Sequence, residues 1–140
     1  MTLFTLNSIS KDTLMETLAI EFIEIGDDFI VAKMPVNEKV FQPYKYLHGG
    51  ATLALIETVG SAVSLLQVDF EKYDVIGTNI NAHHIKSTRG GEVTAKAKII
   101  KSGKLMHLIQ IEVRDTEGSL MSYATQTNVI KEKSKVNDEE

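Results

Sequence analysis

The chain of 140 residues contains no cysteine and no tryptophan, and only two prolines. Without cysteine there can be no disulfide, thiolate metal site or cysteine nucleophile. No run reaches the roughly 18 consecutive apolar residues of a membrane-spanning helix, so we expect no membrane association. Residues 1–7 also lack a basic start followed by a long apolar run. We therefore expect no secretory leader and a cytoplasmic location.

Positive charge is also in short supply. Lys and Arg total 15 against 19 Asp and Glu, a formal net charge of −4, so we expect no nucleic-acid partner. The hydrophobic fraction of 43% and charged fraction of 24% are typical of a globular protein with one core. We assign residues 1–130 to a single domain. The strongly charged segment 131–140 is expected to be a disordered tail.

The spacing of apolar residues predicts a short helix, two strands, a long helix and four more strands. Ser10 is expected to cap the short helix, which reaches about Thr17. The long helix is predicted at 49–67 and the strands at 19–25, 29–36, 74–86, 92–100, 105–114 and 119–130. Because the long helix is apolar on nearly every side, it should be buried within an antiparallel sheet, which indicates an α+β fold.

The most informative segment joins a polar loop to the long helix. Gln42 and His48 precede the pair Gly49-Gly50, and Glu57 follows inside the helix. Glycines at a helix start leave N–H groups open to a ligand, and the helix dipole favours negative charge there. A carboxylate in an apolar helix is costly unless it is paired or functional. These groups favour an acyl-transfer site, although a simple helix start and an ion-paired glutamate would fit the same pattern.

The spacing within this segment has a geometric consequence. Gly50 and Glu57 are seven residues apart, which is roughly 10 Å along one helix. Attack on a carbonyl needs the reacting atoms at about 3–3.5 Å. If both groups are catalytic, Glu57 must therefore come from a second chain, which predicts a site at a two-fold dimer interface.

Other catalytic patterns are missing from the sequence. There is no G-x-S-x-G elbow, no P-loop and no G-x-G-x-x-G fingerprint. His83 and His84 are neighbours in a predicted strand, so they face opposite sides of it and make poor joint ligands. We therefore predict no metal site.

Several short motifs stand out when they are taken together. They are Gln42, Leu47 to Ala51, Glu57, Gly60-Ser61 and Asn81-Ala82-His83-His84. Together they resemble the hotdog-fold acyl-CoA thioesterases, most of all the branch of 1,4-dihydroxy-2-naphthoyl-CoA hydrolases and enterobactin proofreading thioesterases. The similarity runs from about Leu18 to Val129 and implies a long central helix wrapped by a six-stranded antiparallel sheet. It also implies homodimers with a continuous sheet, and homotetramers built from two such dimers.

The resemblance implies hydrolysis of an acyl-CoA thioester. It implies that the Gly49 N–H is the oxyanion donor and that Gln42 and His48 bind the thioester or position water. Glu57 of the partner chain would be the nucleophile or the general base, and Ser61 would help to orient the reacting groups. The implied acyl group is aromatic, similar to 1,4-dihydroxy-2-naphthoyl.

The resemblance also implies contacts with coenzyme A, which would be part of the substrate, so no separate cofactor is expected. Whether the acyl group is carried by coenzyme A or by an acyl carrier protein stays open. Basic side chains among these residues are candidate partners for the phosphates, although each also fits a solvated hairpin end. The implied contacts are Gly77, His84, Ile85, Lys86, Ser87, Arg89, Lys101, Ser102, Gly103, Lys104, Leu105 and Met106.

Two other functions remain open from the sequence. A hotdog hydratase or dehydratase would act on the same thioesters with a different pairing of His and carboxylate. A non-catalytic acyl-CoA-binding protein would bind the thioester without releasing a free thiol.

Overall fold

The computed structural model describes residues 1–134. Within that range, six strands form one antiparallel sheet in the order β1-β2-β4-β5-β6-β3. The helices are α1 (Leu3–Ile9), α2 (Leu14–Thr17) and α3 (Gly49–Leu65), with a 3-10 turn at Glu38–Val40. The strands are β1 (Glu21–Ile25), β2 (Phe29–Pro35), β3 (Tyr73–His84), β4 (Glu92–Ser102), β5 (Met106–Arg114) and β6 (Leu120–Glu132).

Helix α3 is the centre of the core, and the sheet curls around it. It contacts five of the strands, β2 to β6. Leu55, Ile56 and Val59 are completely buried on the side of α3 that faces the sheet. Ala95 and Ala97 on the central strand β4 are also completely buried, and their small side chains let the helix approach closely. Each large apolar side chain buried in this way contributes about 1.5–3 kcal/mol.

The prediction that α3 is buried on every side is wrong for one face. Leu53 is 36% exposed and Glu57 is also exposed, although both lie in the middle of the helix. The physical reason is that the six strands of one chain cover only part of the circumference of the helix. One chain therefore leaves an open face on its central helix.

The N-terminal helices differ from the prediction. Ser10 ends α1 instead of starting a helix, and its hydroxyl donates to the Leu6 carbonyl at 2.8 Å. The N-caps are Thr2 for α1 and Thr13 for α2, whose side chains accept backbone N–H groups. Ala19 has a φ of 54°, which breaks the extended backbone, so β1 begins later than predicted.

The sheet also extends past its predicted end. Lys131 pairs with Asp74 and Glu132 with Tyr73, so the first two residues of the expected tail belong to β6. They are ordered because the long strand β3 offers them backbone partners. Residues 135–140 of that tail lie outside the described residues.

One buried histidine on β5 has no counterpart in the predicted site. His107 is 2% exposed, and within residues 1–134 its Nδ1 has no hydrogen-bond partner. Burial lowers the pKa of His107 below its ordinary value of 6.5 because the charged ring would lose its hydration. The ring is therefore neutral in the folded protein at neutral pH.

Acid should destabilise the protein through this residue. An unfolded histidine takes up its proton as the pH falls through about 6.5, whereas folded His107 resists it, so the free energy of unfolding decreases below that pH. Above it, both states are neutral and the contribution disappears. When the pH is lowered from about 7.5 to about 5.5, we expect the melting temperature of His107→Leu to fall less than that of wild type. An equal loss in both proteins, measured by thermal unfolding, would contradict this.

Candidate active site

The first part of the site is the start of α3. His48 is its N-cap, and its Nδ1 accepts the Gly50 N–H at 2.7 Å, so the ring satisfies one of the free N–H groups of the first turn. Within residues 1–134 the Gly49 N–H donates to no other group. It lies at the positive end of the helix dipole, where a developing negative charge is stabilised. Gly49 is thus a competent oxyanion donor, and His48 shapes the turn that presents it.

The Gln42 side chain is held by its amide oxygen, and within the described residues 1–134 its amide nitrogen donates to no protein group. Its Oε1 accepts the backbone N–H of Tyr44, and because an N–H needs an acceptor, the oxygen must face that residue. Its backbone closes a tight turn, with its N–H donating to the Tyr46 carbonyl at 2.8 Å and its carbonyl accepting from Lys45 at 2.9 Å. Gln42 can therefore donate from Nε2 to a carbonyl oxygen.

His84 completes this first cavity. A Cβ atom placed on Gly49 would lie 3.0 Å from His84 Nε2, so the ring packs directly against the helix start. The other ring nitrogen, Nδ1, lies 2.8 Å from the hydroxyl of buried Ser122, which anchors it. The cavity has a volume of about 200 Å³. Its lining includes Gln42, Leu47, Gly49, Thr52, His84, Lys86, Ser87, Met121 and Ser122.

Glu57 faces a different space. A Cβ atom placed on Gly77 would lie 3.0 Å from Glu57 Oε1, so the carboxylate rests over the edge strand β3. Ser61, one turn further along α3, lines the same cavity of about 340 Å³. Glu57 and Gly49 are eight residues apart, about 12 Å along the helix axis. One chain therefore places Glu57 and the Gly49 N–H in separate cavities. The cavity is otherwise mostly apolar, with Leu6, Ile9, Leu14, Met15, Phe22, Ala54, Ala62 and Leu65 in its wall.

The first group of residues implied to bind coenzyme A lies near His84. Lys86 and Ser87 line the cavity at the helix start, whereas Ile85 is 60% exposed. Lys86 Nζ is 2.7 Å from Asp115 Oδ2. This hydrogen-bonded ion pair raises the pKa of Lys86 and lowers the pKa of Asp115. Much of the Lys86 charge is thus already compensated within the chain.

Arg89 follows in the same loop and is also partly engaged. Its guanidinium lies over the ring of Tyr46, 4.2 Å from the centroid. This cation–π contact ties the loop after β3 to the loop that carries Gln42. A phosphate contact by Arg89 stays a prediction.

The second group, from Lys101 to Met106, lies at the other end of the sheet. On β6, His84 pairs with Ser122 whereas Met106 pairs with Val129. Seven residues of strand separate those positions, which is about 23 Å. One chain therefore does not bring the two groups together. Gly77 pairs with Asn128, next to the Val129 that pairs with Met106, so it lies toward the end of the sheet that carries the second group. The hairpin borders its own cavity of about 560 Å³, lined in part by Lys101, Gly103, Lys104, Leu105 and Met106, and Ser102 lines an adjacent one.

Two buried amides beside Ser61 were not among the predicted site residues. Gln126 and Asn128 are both completely buried, and Gln126 Nε2 lies 3.3 Å from Ser61 Oγ. A sequence signal for them existed, because they occupy inward positions of β6 where the alternation calls for apolar side chains. The signal is visible only once the register of the strand is known.

Comparison with known proteins identifies the family. The sequence model of the thioesterase superfamily matches residues 44–122, which include the helix start and Glu57. The chain belongs to the thioesterase superfamily. A crystal structure of a thioesterase from Haemophilus influenzae superimposes with a TM-score of 0.93 at 35% identity, covering 98% of this chain and 95% of the other. The predicted hotdog fold is thereby confirmed.

Two curated relatives bear on the thioesterase chemistry. The chain is 37% identical over 129 residues to the 1,4-dihydroxy-2-naphthoyl-CoA hydrolase of Escherichia coli strain K12, covering 92% of this chain and 94% of that protein. It is 38% identical over 118 residues to the proofreading thioesterase EntH of Cronobacter turicensis, covering 84% and 85%. This thioesterase is thus an enzyme of a family that acts on thioesters.

Two features are absent from the described part of the chain. No helix within residues 1–134 is long and apolar enough to cross a membrane. The same residues contain no cluster of three His, Asp or Glu side chains placed to hold a metal ion.

The contact between Gly77 and Glu57 gives a test of the site. In Gly77→Ala the added Cβ would lie 3.0 Å from Glu57 Oε1 and displace the carboxylate by a few tenths of an ångström. Since small misplacements of reacting groups are costly, we expect thioesterase kcat to fall about tenfold with little change in thermal stability. Gly90→Ala is the control, because a Cβ there meets nothing within 4 Å. Equal kcat in the two variants would show that Glu57 is not held against Gly77.

Proposed function

We propose that the protein hydrolyses acyl-CoA thioesters at a site shared between two copies of the chain. The observation that carries this proposal is the division of the catalytic groups. The Gly49 N–H, the Gln42 amide and His84 meet in one cavity, and Glu57 and Ser61 line another. A hydrolytic site needs both sets of groups around one carbonyl carbon.

The free edge of β3 supports a two-fold arrangement. Among residues 1–134, β3 lies at the end of the sheet and pairs only with β6, so this strand of 12 residues has one side open there. Ile76 on this strand is 44% exposed, and the open face of α3 carries exposed Leu53. A long edge strand with open backbone N–H and C=O groups favours pairing with another strand. A second copy of the chain would cover both the strand and the helix face.

Antiparallel pairing of two β3 strands would also unite the site. Glu57 lies over Gly77 near the start of β3, whereas Gly49 lies against His84 at its end. In an antiparallel pair related by a two-fold axis, the start of one strand meets the end of the other. The acid of one chain would then approach the oxyanion donor of its partner, on both sides of the axis.

In the proposed mechanism, the thioester oxygen accepts hydrogen bonds from the Gly49 N–H and Gln42 Nε2. Each such donor contributes roughly 3–4 kcal/mol when it is aimed at the developing oxyanion. In one route, Glu57 of the partner removes a proton from a water molecule that attacks the carbonyl carbon, the C–S bond breaks, and the leaving thiolate takes up that proton. In the other route, Glu57 attacks the carbon itself, the thiolate leaves and takes a proton from solvent, and water then hydrolyses the acyl–glutamate anhydride to release the acid and restore Glu57. Neither route needs a cofactor.

The wall of the Glu57 cavity supports an aromatic or other apolar acyl group. Thr58 has its hydroxyl committed to the Ala54 carbonyl at 2.7 Å, which leaves Glu57 and Ser61 as the polar groups of that wall. The rest is aliphatic apart from Phe22. The name of the Escherichia coli relative describes an aromatic acyl-CoA, which fits this wall. Homotetramers, a carrier-protein substrate and a cytoplasmic location stay predictions.

Removing the proposed acid tests the function. Because Glu57 is exposed in the single chain, Glu57→Ala should fold with unchanged thermal stability and yet lose kcat by about a thousandfold or more. The measurement is free-thiol release over a panel of aromatic and aliphatic acyl-CoAs. Glu24→Ala, which removes an exposed carboxylate from β1, is the matched control and should retain full activity.

The same assay separates the competing functions. A hydratase would convert an unsaturated acyl-CoA without thiol release, and a binding protein would retain the intact thioester. Wild-type thiol release by Glu57→Ala would reject the proposed role of Glu57, although it would still show that the protein is a hydrolase.

A further inference from the structure

Two buried amide side chains lie between β6 and α3, next to the cavity of Glu57. Gln126 and Asn128 are completely buried, and both point inward from β6 to the helix. Burying an amide is unfavourable unless its polar atoms are hydrogen-bonded. The partners of these two side chains therefore decide how they are oriented.

A backbone carbonyl of α3 sets the direction of the whole network. Asn128 Nδ2 donates to the Gly60 carbonyl at 2.9 Å, and because a carbonyl can only accept, the amide nitrogen must face it. Asn128 Oδ1 then faces Gln126 and accepts from its Nε2 at 2.8 Å. The remaining N–H of Gln126 Nε2 donates to Ser61 Oγ at 3.3 Å. The helix thus fixes both amides without leaving an alternative rotation.

The consequence appears at Ser61. Its oxygen accepts from Gln126, so its own hydrogen must be donated elsewhere. Thr58, one turn away, donates to a carbonyl of its own helix, whereas within residues 1–134 the Ser61 hydroxyl donates to no protein group. Ser61 lines the cavity that also contains Glu57. Its O–H is therefore available to a carboxylate, a water molecule or a substrate there.

Two glycines make room for this arrangement. A Cβ atom on Gly60 would overlap Gln126 Oε1, so only glycine lets the amide lie against the helix backbone. A Cβ atom on Gly77 would lie 3.0 Å from Glu57 Oε1, 3.5 Å from Gln126 Nε2 and 3.6 Å from Asn128 Oδ1. The carboxylate and both amides therefore converge at the place where Gly77 has no side chain.

We propose that Gln126, held by Asn128 and the Gly60 carbonyl, is a positioning residue that keeps the Ser61 hydroxyl as a hydrogen-bond donor to the reacting groups. Gln126 does not touch substrate and acts only through Ser61. This inference rests on the proposed function of the Glu57 cavity. It adds a structural reason for two polar side chains in the core of the sheet.

Replacing the amide by a side chain of similar shape tests the proposal. In Gln126→Met the bond to Ser61 is lost and the hydroxyl is free to rotate, so we expect kcat for thiol release to fall about tenfold with KM unchanged. The decisive comparison is a double-mutant cycle with Ser61→Ala. Because Gln126 acts through Ser61, the double variant should be no slower than Ser61→Ala alone.

A control from the same network separates positioning from stability. Ser64 Oγ accepts from Asn128 Nδ2 at 2.8 Å but lies off the path to Ser61. Ser64→Ala should lower thermal stability while leaving kcat within about twofold, because the Gly60 carbonyl still orients Asn128. If Gln126→Met fails to fold, Gln126→Glu keeps the size; burial keeps the new carboxyl group protonated, so its single O–H goes to Asn128 Oδ1 and its oxygen faces Ser61 as an acceptor. The Ser61 proton would then be drawn away from the cavity, and kcat should fall to the level of Ser61→Ala.

The outcomes distinguish this inference from the proposed function. Wild-type kcat in a folded Gln126→Met or Gln126→Glu would overturn the positioning role. The positioning role would also be overturned if Gln126→Met lowered kcat by the same factor in the Ser61→Ala background as in the wild type. Full activity of Glu57→Ala would instead reject the function on which the inference rests, whatever the Gln126 variants show.

Discussion

The packing of α3 inside the curled sheet is the constraint on which the rest of the structure depends. Leu55, Ile56 and Val59 are completely buried against the strands, so the helix cannot slide or rotate without opening the core. Its N-terminus is held against His84, where the Gly49 N–H has no acceptor within residues 1–134. A rigid helix therefore fixes both this N–H and, two turns later, the Glu57 carboxylate.

That rigidity also sets a limit. Gly49 and Glu57 are separated by about 12 Å along the helix axis, and side-chain motion alone cannot bring both to one carbonyl carbon. The open face of the helix and the unpaired edge of β3 lie where a second copy would complete the site. In the proposed dimer, stability and catalysis are linked, because the surface that one chain leaves uncovered also carries Glu57. One association would both pair the strand edge and bring Glu57 to the site of its partner.

The sequence predicted the elements that depend on local pattern. The glycine pair marked the start of α3, and alternation found all six strands, because both signals lie within a few residues. It missed features that depend on distant partners. The sequence makes Lys86 a candidate phosphate partner but does not reveal Asp115, 29 residues away, as its ion-pair partner. It also does not reveal that the two implied coenzyme A segments lie about 23 Å apart in one chain, because that distance depends on the strand register. The role of Gln126 depends on its packing against Gly60 of α3, which the sequence alone does not show.

Subunit mixing tests the central claim most directly. Glu57→Ala and Gln42→Ala chains should each be nearly inactive alone. The two variants are dissociated and reassembled together in equal amounts, so that mixed dimers form. In a mixed dimer, one of the two sites has an intact Gln42 from one chain and an intact Glu57 from the other, and the second site has neither. With half of the dimers mixed, we expect recovery of about one quarter of wild-type activity. No recovery, from mixtures shown to contain the mixed dimer, would contradict a site built from two chains.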